Sequence, residues 1–295
     1  MIIDFRVTVP MKEYREQLSA EEAARRMRES TFRGYLRVYK AIASADEEWA
    51  ASVEGIIRSM EEAGIDKAVL QAEYDFTEDD YHKLNEATYR IAKAYPDKFP
   101  VYFMCLNPLE DEDMVKVLER GINEQGFKGV NFQAFAVRVS STDSRFWPVY
   151  AKCQELGLIV TIHSSINFSV DRSIYLSHVS HLDKIACDFP DLVLVANHGG
   201  WPWVNEMVAI AWKHANVYIE IGAVSPKYIG APGSGWETLM RYGNTILQDR
   251  VLFATDCMLP HKRCVDELRD LPLKDEVKEK WLGGNAARLL GLEKK

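Results

Sequence analysis

Short apolar runs rich in β-branched residues alternate with longer stretches of helical periodicity along this chain of 295 residues. In chain order, the runs cover residues 2–7, 67–71, 100–106, 128–133, 158–163, 192–198, 217–221 and 250–256. Apolar residues recur at helical spacing within 47–63, 81–95, 112–124, 146–156, 175–189 and 203–214. This alternation predicts a parallel sheet covered by helices, and eight strands in this order predict a closed (β/α)8 barrel. On pattern alone, a doubly wound open sheet is the competing architecture.

The length and patterning predict one domain over residues 1–295, because no linker-like or repetitive stretch divides the chain. The regular alternation is interrupted after the first strand, where residues 10–46 precede the next regular helix. An insertion after a barrel strand lies on the catalytic face, so we expect a lid over the site or a contact between two copies in a dimer. The Gly- and Pro-rich stretch 222–235 predicts a second loop on that face.

Charge and composition exclude several classes of function. Acidic residues outnumber basic ones by 44 to 36, and a net charge of -8 argues against nucleic acid as a partner. No apolar run is long enough to span a membrane. The five cysteines form no CxxC pair, which favours reduced thiols and a cytoplasmic protein. The expected partner is therefore a small-molecule substrate.

Three polar residues end predicted strands at the face where barrel enzymes carry their chemistry. His163 ends the fifth run, His198 the sixth and Asp256 the eighth. Their side chains would converge near the barrel axis, where His and Asp serve as metal ligands or as proton carriers. We therefore predict that these three are catalytic. Further residues near the same strand ends are expected to bind the substrate, namely Arg6, Asn131, Trp201 and Glu220.

Six short segments spread over almost the whole chain carry a family pattern. They are Ile2-Ile-Asp4, Gly126-Phe-Lys-Gly-Val130, Thr161-Ile-His163, Asn197-His-Gly-Gly-Trp-Pro202, Phe253-Ala-Thr-Asp256 and Gly284-Asn-Ala-Ala-Arg-Leu-Leu290. Together they resemble the amidohydrolase superfamily, in particular the amidohydrolase-2 group that includes aminocarboxymuconate-semialdehyde decarboxylase and aromatic acid decarboxylases. The resemblance implies that His163 is a metal ligand, that Asp256 is a ligand or base, and that His198 is an acid or base beside the metal.

The first strand departs from the pattern of that family. The family's motif is Asp-x-His-x-His, and its two histidines complete the metal site, whereas Arg6 and Thr8 stand at those positions here. A unit charge pair about 4 Å apart is worth about 4 kcal/mol at an effective dielectric near 20, and a dication doubles this repulsion. We therefore expect no cofactor. The alternative is one Zn or Mn ion at His163 and Asp256.

Two roles for Arg6 follow from this replacement. Its guanidinium takes over the electrostatic role of the metal by binding a substrate carboxylate in bidentate fashion, or it forms a buried pair with Asp256 or Glu220. The predicted function is an amidohydrolase-like hydrolase of a small carboxylated substrate, cyclic or aromatic, with little or no metal dependence. The alternatives are a non-oxidative decarboxylase of an aromatic or muconate-type acid, and a catalytically degenerate barrel that acts as a binding protein.

Overall fold

The computed structural model describes residues 1–13, 47–73, 81–110, 113–169 and 171–293. The predicted lid and dimer contact in residues 10–46 therefore lie outside the described residues, apart from a short 3-10 turn at Met11–Glu13. The loop predicted at 222–235 is described, and it contains a short helix.

Eight strands form one parallel sheet in which each strand pairs with the next in chain order. They are β1 (Ile3–Thr8), β2 (Lys67–Gln71), β3 (Val101–Cys105), β4 (Gly129–Phe132), β5 (Ile159–His163), β6 (Val193–Asn197), β7 (Val217–Glu220) and β8 (Val251–Leu252). Backbone bonds from Phe5 N to Phe253 O (2.9 Å) and from Asp256 N to Arg6 O (3.0 Å) join β1 to the segment after β8. The sheet therefore closes on itself, so the barrel prediction is confirmed and the open sheet was wrong.

Helices numbered within the described residues cover the outside of the barrel. They are α1 (Val53–Ala63), α2 (Tyr81–Ala94), α3 (Met114–Arg120), α4 (Trp147–Glu155), α5 (Ser180–Asp188), α6 (Val204–Lys213), α7 (Pro226–Ile229), α8 (Glu237–Gly243), α9 (His261–Arg269), α10 (Asp275–Glu279) and α11 (Asn285–Leu290). Helix α1 shows why they form: Ser52 accepts a hydrogen bond from Gly55 N at its start, and Gly64 ends it with a φ of 71°.

Several observed elements are shorter than their sequence patterns. The stretch 112–124 forms α3 and then a π-helical turn at Gly121–Gln125, and the stretch 175–189 becomes regular only at α5. The last strand ends at Leu252, and the backbone turns to a φ of 60° and 53° further on, at Asp256 and Cys257. Apolar periodicity continues through such turns, since their side chains are still buried.

The barrel interior has an apolar lower layer and a polar upper layer. The lower layer contains buried side chains from most of the strands, among them Phe5, Val69, Phe103, Ile159 and Val195. The polar layer consists of Gln71, Asn131, Thr161 and Asn197, all buried near the carboxyl ends of their strands. The polar layer is the surface on which the candidate site is built.

Candidate active site

A register irregularity in β1 turns the Arg6 side chain toward the polar layer. The pairing of β1 with β2 shifts between Asp4 and Val7, as in a β-bulge. The Asp4 carboxylate stabilises this bend, since it accepts hydrogen bonds from Arg6 N (2.9 Å), Thr255 N (3.1 Å) and Thr255 Oγ1 (2.5 Å). One buried carboxylate therefore fixes both the bend of β1 and the loop after β8.

The guanidinium of Arg6 is completely buried and bonded to protein acceptors. Its Nε donates to Asp256 Oδ1 (2.5 Å), and its Nη2 donates to Glu73 Oε2 (2.5 Å). Its Nη1 donates to Gln71 Oε1 (3.0 Å), with Asn131 Oδ1 at 3.4 Å. The buried-pair alternative is therefore the arrangement present, with Glu73 rather than Glu220 as the second partner.

The three residues predicted to be catalytic lie together at the end of the barrel. The rings of His163 and His198 are 4.8 Å apart between centroids, and His198 Nδ1 lies 3.9 Å from Asp256 Oδ2. The same Nδ1 is 3.1 Å from the carbonyl oxygen of Gly222, and His163 Nε2 is 3.4 Å from Ser165 Oγ. Two imidazoles and a carboxylate therefore face the same space. They are contributed by β5, β6 and the segment after β8.

The backbone that presents His198 and Asp256 is in the left-handed region, with φ of 66° and 60°. His and Asp enter this region more readily than most residues with a β-carbon, and such strain gathers at functional sites. Gly199 follows with a φ of 65°, and a β-carbon there would overlap the Trp236 ring. The Asn-His-Gly-Gly segment therefore makes the tight turn that points the His198 ring at Asp256.

Burial governs the protonation of this site. It lowers the pKa of His198 to about 3, and the nearby charge of Arg6 adds to the effect. Burial, His198 and Arg6 together put the pKa of His163 well below its usual value. Burial also raises the pKa of Asp256, although Arg6 opposes this shift. Both imidazoles are therefore neutral near pH 7, and Arg6 carries the positive charge of the site.

A cavity of about 470 Å³ opens above these groups. His163, His198 and Asp256 form its polar floor. The wall residues come from the loops and helices after β5, β6, β7 and β8 and are Ser165, Ile166, Phe168, Trp201, Ala223, Val224, Ser225, Tyr228, Ser234, Trp236, Met258, Leu259 and Arg263. Its size suits a small-molecule substrate, and its walls are mainly apolar and aromatic.

Of the four residues predicted to bind substrate, only Trp201 lines this cavity. Arg6, Asn131 and Glu220 are almost completely buried and are absent from its lining, so direct contact with a substrate is not supported for them. Asn131 Nδ2 donates to Ala72 O (3.0 Å), and a Glu220 oxygen accepts from Gly222 N. These residues lie near strand ends, as predicted, but their side chains fill the layer beneath the cavity.

Comparison with known proteins identifies the family. The family model described as amidohydrolase (Amidohydro_2) matches residues 59–292. The chain belongs to the amidohydrolase family. The family and the similar structures are enzymes, so the prediction of an enzyme is confirmed. No curated protein matches this amidohydrolase.

Solved structures similar to this amidohydrolase share the barrel along almost the whole chain. An uncharacterised TIM-barrel protein of Bordetella bronchiseptica has 29% identity, covers 98% of each chain and gives a TM-score of 0.76. The 5-carboxyvanillate decarboxylase of Sphingomonas paucimobilis has 17% identity, 98% coverage of each chain and a TM-score of 0.67. The same enzyme from Novosphingobium aromaticivorans, complexed with manganese and a nitrobenzoic acid, has 18% identity, 99% and 96% coverage and a TM-score of 0.69.

Within the described residues, no helix is long and apolar enough to cross a membrane.

The residues of this amidohydrolase do not fit the metal site that the resemblance implies. Asp256, one of the two remaining ligand candidates, has Arg6 Nε at 2.5 Å from its Oδ1, where a dication would meet a fixed positive charge. Across the described ranges, one trio of ligand atoms lies within 4.8 Å of one another, and it is Asp183, Cys187 and His214. That trio lies on α5 and at the end of α6, away from the cavity.

Glu220 gives this amidohydrolase an expected pH dependence of stability. Burial raises the pKa of Glu220 to about 8, because the charges of Asp256 and Asp4 add to desolvation and Arg6 only partly compensates. In the unfolded chain, the Glu220 carboxyl releases its proton above its ordinary pKa of 4.5. In the folded state it keeps this proton until the pH approaches about 8. Stability must then fall as the pH rises through this window, by about 2 kcal/mol between about pH 6 and pH 8 from this group alone.

The variant Glu220→Gln should remove this part of the pH dependence, since glutamine keeps an oxygen for Gly222 N and cannot ionise. Urea unfolding at both pH values measures the free energy of unfolding. The surface variant Glu276→Gln serves as the control, because the Glu276 side chain is exposed. Equal pH dependence in Glu220→Gln and in the unaltered protein would show that Glu220 is ionised in the fold.

Proposed function

We propose that this amidohydrolase is a carboxy-lyase that releases carbon dioxide non-oxidatively from a small cyclic or aromatic acid, without a divalent metal. The observation that supports it most is the Arg6 guanidinium, which holds Asp256 and Glu73 beside the apolar-walled cavity.

The charge balance beside the cavity favours a protonated carboxyl group that can act as a general acid. Arg6 carries one positive charge and contacts two carboxyl groups, Asp256 through Nε and Glu73 through Nη2. Two carboxylates beside one cation retain a net negative charge, which together with the burial of Asp256 favours a proton on Asp256. Asp256 lies on the cavity floor, so it is the group that delivers this proton to the substrate.

The reaction then needs one proton and no redox partner. The bond between the ring carbon and the carboxylate breaks, its electron pair stays on the ring carbon, and carbon dioxide leaves. The Asp256 carboxyl supplies the proton for the new C–H bond, and solvent restores the proton afterwards. Arg6 stabilises the Asp256 carboxylate that this transfer leaves behind.

The apolar wall favours loss of carbon dioxide. Phe168, Trp201, Trp236, Met258 and Leu259 surround the volume above Asp256. A carboxylate surrounded by apolar groups is destabilised because it loses its hydration, whereas neutral carbon dioxide loses little hydration there. The apolar wall therefore favours the product over the bound acid. Two of the similar structures support the same reaction, since they are decarboxylases of 5-carboxyvanillate and of 2,6-dihydroxybenzoate.

The two histidines act here as neutral positioning groups. If the hydrogen on His198 Nδ1 is donated to Gly222 O, at 3.1 Å, its other ring nitrogen accepts a hydrogen bond. His163 packs edge-on against His198 and contacts the Phe135 ring at 4.4 Å between centroids. Together they orient an acidic or hydroxylated substrate over Asp256.

Hydrolysis is the second candidate, and the same carboxyl pair favours it. Two carboxyl groups that share one proton can activate water with one member and protonate a leaving oxygen with the other. Glu73 and Asp256, both bound to Arg6, match this requirement. A lactone or ester of a small acid would be the substrate.

One assay separates the two reactions. The purified protein is incubated with hydroxybenzoates and benzene dicarboxylates, and separately with lactones of small carboxylic acids. Carbon dioxide is followed by a coupled assay and acid release by pH-stat. The carboxy-lyase proposal expects carbon dioxide from at least one acid, whereas acid release from lactones with no carbon dioxide would replace it by hydrolysis.

A further inference from the structure

Arg263 is the one Lys or Arg side chain among the described residues that line the cavity. It lies on α9, after β8, and its side chain is 35% exposed. Arg6, by contrast, is completely buried and bound to Glu73 and Asp256. A negatively charged substrate group that enters the cavity therefore meets Arg263.

The Arg263 guanidinium is held in place along one edge. Its Nε donates to Glu267 Oε1 (2.8 Å), one helical turn further along α9. Glu267 is fixed in turn, because its other oxygen accepts from Ser225 Oγ and lies 3.4 Å from Lys227 N. This network joins α9 to the loop after β7, so Arg263 needs little ordering when a ligand binds.

The other edge of the guanidinium remains for a ligand. Nη2 has a long contact with Ser225 Oγ (3.4 Å), and Nη1 has no hydrogen-bond partner among the described residues. Two terminal nitrogens of an arginine match the two oxygens of a carboxylate. The geometry is that of a carboxylate site with one edge anchored and one edge open.

We propose that Arg263 binds a substrate carboxylate that is not lost in the reaction, so that the substrate is a cyclic dicarboxylate. This inference rests on the carboxy-lyase proposal. A carboxylate paired with arginine loses that pairing when it becomes neutral carbon dioxide, so Arg263 would slow the departure of any group it holds. The carboxylate that departs as carbon dioxide lies instead among the apolar walls above Asp256. Arg263 binds the carboxylate that the product retains.

The cavity has room for such a substrate. A volume of about 470 Å³ accommodates one six-membered ring with two carboxylates. The rings of Trp201 and Trp236 offer flat apolar faces in the wall. Specificity for a diacid over a monoacid is then set by Arg263 alone among the cavity residues.

Binding of benzene-1,3-dicarboxylate and of benzoate, measured by calorimetry, tests this assignment. The unaltered protein should bind the diacid about tenfold or more tighter, as expected for one charge-assisted bidentate contact. Arg263→Gln should remove this preference, because the diacid loses the contact that holds its second carboxylate. Arg263→Lys should keep part of it. Arg145→Gln, which removes an arginine paired with Asp143 outside the cavity, is the control.

The outcomes separate this proposal from the one on which it rests. No preference for the diacid in the unaltered protein, or an undiminished preference in Arg263→Gln, overturns the role of Arg263. Diacid binding that depends on Arg263, without release of carbon dioxide from any acid, keeps the carboxylate site and refutes the carboxy-lyase.

Discussion

Replacement of Arg6 by methionine should lower the free energy of unfolding by about 3–5 kcal/mol. Arg6 is completely buried and bonded to Asp256, Glu73 and Gln71, so its loss leaves two carboxyl groups close together without a cation. The carboxyls respond by taking up protons, which limits the loss but removes the charge arrangement of the site. Urea unfolding at pH 7 gives the stability, and turnover of the substrate found by the carbon dioxide assay should be abolished.

A triple variant distinguishes the charge of Arg6 from its packing. Arg6→Met combined with Glu73→Gln and Asp256→Asn removes both acids and should recover part of the lost stability, because neither acid of the two ion pairs is then left without its cation. The surface variant Arg145→Gln should change stability by less than about 0.5 kcal/mol. An unchanged stability in Arg6→Met would contradict the buried ion-pair network.

Replacement of Asp256 by asparagine should lower kcat by about a thousandfold and leave KM nearly unchanged. Asparagine keeps an oxygen that can accept from Arg6 Nε, so the fold and the cavity floor are retained while the proton donor is lost. Steady-state kinetics of carbon dioxide release measure the effect. Melting temperature and binding of the substrate to the variant confirm that the site still forms.

Asp183→Asn is the matched control for Asp256→Asn. Asp183 lies on α5, where it contacts Lys213 and His214 at 2.7 Å, and it takes no part in the cavity. Its replacement should leave kcat unchanged. If Asp256→Asn turns over substrate at the normal rate, the proton comes from another group, and Asp256 must be removed from the mechanism.

The fold follows from sequence patterns that are local and repeated. Strand runs end where polar residues begin, as at His163, and α1 ends at a glycine that reaches positive φ. The pattern does not predict how β8 ends, because Phe253 and Ala254 continue the apolar run of the strand although the regular strand stops at Leu252. Closure of the barrel depends on contacts between the two ends of the chain. The alternation of strands and helices indicates closure only because it contains eight strands.

The site follows from sequence only in part. Strand-end positions indicate His163, His198 and Asp256, because the ends of parallel strands meet at one face. The register shift in β1 carries no sequence signal, and it directs Arg6 into the barrel, where Glu73 meets it. The cavity walls, including Arg263, come from loops and helix starts whose periodicity says nothing about which side chains face the site.

The central claim is that this amidohydrolase works with the Arg6 guanidinium and without a divalent metal. The metal content of active protein tests it most directly. Protein purified without chelator is divided between mass-spectrometric metal analysis and the activity assay. We predict far less than one equivalent of zinc or manganese, with activity that a chelator does not reduce. Near-stoichiometric metal, with activity lost on chelation and restored by that metal, would contradict the claim.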